Sequence, residues 1–148
     1  MVKLVKVNQD NYNDVINLQL TESQKDFVSP NIRSLAQAWV FYERARPYAI
    51  YSNDVLVGFI MFDYRTELRT AEIWRFMIST EHQGKGYGKQ ALLTAIEFLK
   101  NENLFDKILI NYVKENDIAK TLYRKLGFGE TGDMDGNEVI MSLDIQQK

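Results

Sequence analysis

Between the apolar stretch Ala71-Glu72-Ile73-Trp74-Arg75-Phe76-Met77-Ile78-Ser79 and the helix-spaced residues Ala91, Leu92, Ala95, Ile96 and Leu99 lies a turn, Gln83-Gly84-Lys85-Gly86-Tyr87-Gly88-Lys89. Glycines at alternate positions leave the backbone bare where its N–H groups point out of the start of a helix. Those donors have no intrahelical acceptor, and with the positive end of the helix dipole they make an anion site suited to phosphate. Lys85 and Lys89 add positive charge around it. The spacing excludes two nucleotide motifs. A dinucleotide fingerprint needs glycine where Lys89 stands, and a Walker loop needs G-x-x-x-x-G-K-[ST], whereas Gly84-Lys85 is followed by Gly86. The pattern that fits is Q/R-x-x-G-x-G/A.

Residues 71–79 read as a central strand, with a helix beginning inside the turn that follows. Upstream, Val2–Val7 alternates apolar and charged residues as a half-buried strand does, and Tyr12, Val15, Ile16, Leu18 and Leu20 suit a first helix. Asn31 or Ser34 caps a second helix, which carries Leu35 to Tyr42 and is closed by Pro47. Strands over Tyr48–Ser52 and Val55–Asp63 are joined by the short turn Asn53-Asp54. Downstream come a strand, Lys107–Val113, and a helix capped by Asn116 or Asp117 and stopped by Gly127. Phe128–Glu130 and Asn137–Ile145 supply the last strands. This order predicts one α/β domain over 1–148, with a mixed sheet and a parallel crossover built on the glycine-led helix.

A second signature follows in Asn116-Asp117-Ile118-Ala119-Lys120-Thr121-Leu122-Tyr123-Arg124-Lys125-Leu126-Gly127-Phe128. It is similar to the N-x-x-A-x-x-L-Y-x-K-x-G-F segment of the GNAT superfamily of N-acetyltransferases, and the glycine turn resembles that superfamily's acyl-CoA pyrophosphate loop. The resemblance implies a GNAT fold: a mixed, mostly antiparallel seven-stranded sheet with four or so helices and splayed central parallel strands, here 71–79 and 107–113. It also implies acetyl-CoA in the resulting cleft. Its diphosphate would lie on Gln83, Gly84, Lys85, Gly86, Tyr87, Gly88 and Lys89, with Met77, Ile78, Asn116, Lys120 and Tyr123 around the rest of the molecule.

Direct acetyl transfer needs three things: an amine stripped of its proton, a hydrogen-bond donor for the developing oxyanion, and a proton for the departing thiolate. No covalent enzyme intermediate is required, which suits a chain without cysteine. The resemblance implies Tyr123 as the general acid, its phenol protonated at neutral pH with an ordinary pKa of about 10. It further implies a backbone N–H near Met77 or Ile78 as the oxyanion donor, on a bulged strand. Glu72 is the best-placed carboxylate for a general base, where burial among Ile73, Trp74 and Phe76 would raise its pKa. The other reading puts Glu72 at a solvent-facing strand end and leaves proton removal to water. His82, the only histidine, reads as a hydrogen-bonding residue beside a polar turn, and no metal cluster surrounds it.

With 148 residues, 45% apolar and 26% charged, the chain has an ordinary globular composition, and a net charge of −2 argues against nucleic acid as its main partner. Without cysteine there is no disulfide framework, thiolate nucleophile or cysteine metal site. No apolar run approaches the roughly 18 residues of a membrane span, and the N-terminus lacks a signal-like apolar stretch, so the expected location is the cytoplasm. The sequence does not select an assembly; a homodimer, the commonest oligomer, is one candidate.

For the acceptor, Phe27-Val28-Ser29-Pro30-Asn31, Ser34-Leu35, Ala38-Trp39 and Glu72 to Ile78 look similar to bacterial spermine/spermidine acetyltransferases of the superfamily. A polyamine needs apolar walls for its methylenes and carboxylates or aromatic faces for its ammonium groups. Glu22, Asp26, Trp39, Glu72 and Trp74 are the candidates to supply them. Three alternatives stand beside this reading: acetylation of protein N-termini or lysines, a non-catalytic acyl-CoA-binding module, and an unrelated phosphate-binding domain.

Overall fold

The computed structural model describes residues 1–26 and 29–146. The strands are Val2–Lys6 (β1), Ala45–Ser52 (β2), Val55–Arg65 (β3), Thr70–Ile78 (β4), Lys107–Val113 (β5), Gly129–Asp135 (β6) and Glu138–Asp144 (β7). The α-helices are Tyr12–Ile16 (α1), Asn31–Val40 (α2), Tyr87–Asn101 (α3) and Asp117–Lys125 (α4). Among the described residues these strands form one sheet in the order β1-β2-β3-β4-β5-β7-β6. Every neighbouring pair is antiparallel except β4 and β5. This is the GNAT architecture that the two motifs imply.

The sheet has a core on each face. Val15 of α1 and Ala38 of α2 pack with Ala49, Phe59, Met61 and Met77 on one side. On the other, Ala91, Leu92, Ala95, Ile96 and Leu99 of α3 cover Ile50, Ile60, Phe62 and Ile108. That α3 row has the 3.6-residue spacing read from the sequence, and all five residues are buried.

Several boundaries differ from the expectation. α1 stops at Ile16, where Asn17 closes it by an N–H bond to the Asn13 carbonyl, and Leu18 and Leu20 pack from the following loop. Pro47 does not end α2, which closes at Phe41; it lies inside β2. The strand tolerates it because the Pro47 carbonyl takes the Val7 N–H, so the missing donor faces the side on which β1 pairing ends at Lys6. β6 runs to Asp135 rather than Glu130. It is a wholly exposed edge strand, whose polar residues carry no apolar alternation to read. The Asn53-Asp54 turn is as expected: Ser52 pairs with Val55, and Asn53 takes φ 55°.

The feature that makes the site lies in β4. Met61 of β3 faces Arg75 and Phe62 faces Ile73, so Trp74 is an extra residue, a β-bulge. Parallel pairing of β4 with β5 runs only from Thr70 and Lys107 to Ile73 and Ile110. Beyond the bulge the two strands part. No described helix is long and apolar enough to cross a membrane.

Candidate active site

The gap between the diverging ends of β4 and β5 opens into two lobes with a common wall of Phe76, Asn116 and Tyr123. The larger, about 440 Å³, faces the starts of α3 and α4; the smaller, about 240 Å³, faces β7. Tyr123 stands between them at 7% exposure, its ring edge-on to Tyr112 at 6.5 Å and tilted against Phe128 at 6.2 Å. Burial alone pushes its phenol well above the ordinary 10.0. The hydroxyl therefore stays protonated.

In the larger lobe, Gly84 has φ 76° and Gly86 has φ 84°, conformations that a side chain would strain. Nothing lies within 4 Å of a Cβ placed on Gly84, and only Gln90 Nε2, at 3.9 Å, approaches one on Gly86. Gly86 is the N-cap of α3 and makes no side-chain cap. The first helical bond is Gln90 N–H to the Gly86 carbonyl, so the N–H groups from Gly84 to Lys89 have no acceptor among the described residues. A bare, uncapped helix start with open space above it fits a diphosphate. Ile118, at 81% exposure on the first turn of α4, adds an apolar surface at the mouth of this lobe.

The remaining predicted residues separate into those on the cleft and those off it. Met77, Ile78, Gln83, Gly84, Gly86, Tyr87, Gly88 and Asn116 line the larger lobe. The Gln83 amide is already committed: it exchanges bonds with Gln24 at 2.8 and 2.9 Å and donates to the Ile78 carbonyl at 2.8 Å, bracing the turn on β4. The Asn116 side chain accepts the Ala119 N–H at 3.2 Å as the α4 cap. Lys85 and Lys89 are exposed beside the turn, outside the lining. Lys120 reaches away to Glu130 at 3.9 Å and does not line the cleft.

The strand bulge precedes the two amides expected as oxyanion donor, of which only the Ile78 amide faces the cleft. It falls at Trp74, upstream of Met77 and Ile78. Ser79 N–H bonds the Val57 carbonyl of β3, so by alternation the Met77 N–H also points at β3. The amides of Phe76 and Ile78 face the opening instead, as does the Ile78 carbonyl that accepts from Gln83.

Glu72 lies on the paired part of β4, behind the cleft wall rather than on it. Its carboxylate accepts from Arg65 at 3.1 Å, and Arg65 also bonds Asp63 at 3.1 Å. Burial raises its pKa above 4.5, and the Arg65 guanidinium partly offsets the rise. His82 accepts from or donates to Ser79 Oγ at 2.7 Å, a bond that secures the turn.

Of the acceptor candidates whose side chains are described, only Trp74 lines a lobe, under Phe41 at 5.9 Å. Trp39 is 78% exposed on the outer side of α2, packed on Tyr42 at 6.1 Å. Glu22 is exposed and pairs with Lys25 at 3.1 Å. The Asp26 side chain, Phe27 and Val28 lie outside the described residues. The sequence reading missed Phe76, Gln24, Asn111 and Glu138, which line the cleft. The places of Phe76, Asn111 and Glu138 depend on the bulge and on β7 inserting beside β5, and that of Gln24 on its long-range bonds to Gln83, none of which leaves a local signal.

The model of the acetyltransferase (GNAT) family matches residues 12–128, most of the chain. The chain belongs to that family. Among relatives of this GNAT domain, a spermine/spermidine N(1)-acetyltransferase of Bacillus subtilis is 27% identical over 142 residues, covering 92% of this chain and 93% of the relative. Among solved structures, the spermidine N-acetyltransferase of Vibrio cholerae in complex with CoA and spermine superposes with a TM-score of 0.80 at 20% identity, over 97% of this chain and 95% of the other. The PaiA N-acetyltransferase of Thermoplasma acidophilum in complex with coenzyme A gives 0.74 at 18% identity, over 97% and 99%.

Proposed function

We propose that this GNAT domain transfers an acetyl group from acetyl-CoA directly to a primary amine of a polyamine such as spermidine or spermine. One observation carries the reading: β4 parts from β5 beside the uncapped start of α3, with the buried Tyr123 phenol between the two lobes. The Bacillus relative, aligned over nearly the whole of both chains, and the Vibrio structure with CoA and spermine support the polyamine acceptor.

Bound in the larger lobe, acetyl-CoA supplies an activated thioester. The free amides from Gly84 to Lys89 hold the diphosphate, Lys85 and Lys89 strengthen the local positive field, and the exposed Ile118 gains an apolar partner. The Ile78 N–H, directed into the splay, steadies the charge that develops on the acyl oxygen. Tyr123 gives its proton to the departing sulfur, a role its burial prepares by keeping the phenol neutral. Glu72 receives the amine proton through intervening water, because it sits behind the wall and not on it.

The test is a panel of acceptors offered with acetyl-CoA, followed by thiol release. Spermidine and spermine are expected to react faster than lysine, aminoglycosides or peptide N-termini. A panel in which polyamines rank last would remove the acceptor and leave the fold and family untouched.

A further inference from the structure

The smaller lobe holds a charge for which the transfer chemistry has no use. Glu138 is the first residue of β7, immediately after the turn at Gly136-Asn137, with its backbone paired to Val113 on one side and Asp135 on the other. Its half-buried side chain lines the lobe with Trp74, Arg75 and Tyr123. Among the described residues it is the only Asp or Glu lining either lobe. It also enters no ion pair and no side-chain hydrogen bond with any of them.

Arg75, in the same lobe, turns its Nη atoms elsewhere, donating to the Trp74 carbonyl at 2.9 Å and to Gln37 Oε1 at 3.0 Å, while its buried Nε has no hydrogen-bond partner among the described residues. The Glu138 field nevertheless reaches into the site: burial lowers the pKa of Arg75 and Glu138 partly opposes that fall, while burial raises the pKa of Glu72 and Glu138 adds to the rise. Arg75 is within reach of that field but forms no ion pair with Glu138 among the described residues, and a partly buried carboxylate without a paired cation carries a desolvation cost that a bound cation would offset.

We propose that Glu138 is the counter-ion for the remote, charged nitrogen of the acceptor. The inference rests on the polyamine reading. The nitrogen to be acetylated must sit where the lobes meet at Tyr123, so a second nitrogen of the same molecule extends into the smaller lobe. Trp74 then offers an aromatic wall to the connecting methylenes, and Glu138 meets the ammonium group. An amine with one nitrogen cannot make that contact.

Steady-state kinetics of Glu138→Gln and Glu138→Asp, with spermidine and with a linear monoamine of similar length, test the proposal. Glu138→Gln should raise KM for spermidine by about tenfold or more while kcat, KM for acetyl-CoA and KM for the monoamine stay within about twofold. Glu138→Asp should recover part of the loss. If Glu138→Gln does not fold, Glu138→Asp alone gives the readout, a KM shift confined to spermidine. Equal shifts for both amines, or none for either, would overturn the role of Glu138 and leave the polyamine reading intact. A wild-type protein that turns over no polyamine would overturn both.

Discussion

Burial pushes Tyr123 and Glu72 toward their neutral forms, and the proposed chemistry uses the two shifts differently. A phenol held above its ordinary 10.0 remains a proton donor across the whole working range. Tyr123→Phe keeps the ring packing on Tyr112 and Phe128 and removes only the hydroxyl. Its kcat should fall about 100-fold, with acetyl-CoA affinity unchanged by calorimetry; an unchanged kcat would assign the proton to another donor. For Glu72 the sign runs the other way. A base acts deprotonated, so kcat/KM should rise with pH through a value above 4.5, and Glu72→Gln should lose that acid limb. Stability moves oppositely: with the folded pKa raised, the contribution of protonated Glu72 is complete below 4.5 and is lost as pH climbs through the raised value. A pH–rate profile that Glu72→Gln leaves intact would place the base elsewhere.

At the scale of elements, the end of β4 is held from both sides. On one side Gln83, tied to Gln24, donates to the Ile78 carbonyl. On the other, β3 comes so close that a Cβ on Gly58 would run into the Met77 carbonyl oxygen and stand 2.9 Å from Ile78 Cδ1. Backbone cannot yield as a flexible side chain does. Gly58→Ala should therefore cost about 1–3 kcal/mol in chemical denaturation and displace the Ile78 amide enough to lower kcat. A variant as stable and active as wild type would show that β4 is not so tightly held. The bulge at Trp74 is what turns this strand end into a wall of the cleft. The family resemblance implied a bulge in this strand without its position, because no residue type in Ile73-Trp74-Arg75-Phe76 marks an inserted residue.

For the molecule as a whole, the strand and helix order was legible wherever periodicity or a glycine supplied a local signal: the α3 face, the Asn53-Asp54 hairpin and the Gly127 stop after α4. The glycine turn and Tyr123 were legible for the same reason, as motifs continuous in the chain. Acceptor-side residues were not. Trp39, chosen by type, sits on the outside of α2, whereas Glu138 reaches the cleft only because β7 inserts between β5 and β6. Long-range strand pairing decides such positions, and composition carries no trace of it. The mild negative charge of the chain suits a polycationic acceptor but selects none.

The central claim is that the unpaired amides at the start of α3 hold the coenzyme. Titration of nitrogen-labelled protein with coenzyme A, read through backbone amide chemical shifts, tests it most directly. The account predicts saturable shifts that are largest from Gly84 to Lys89, with smaller ones at Ile78 and Tyr123. Saturating shifts on another surface, with Gly84 to Lys89 unmoved, would contradict it.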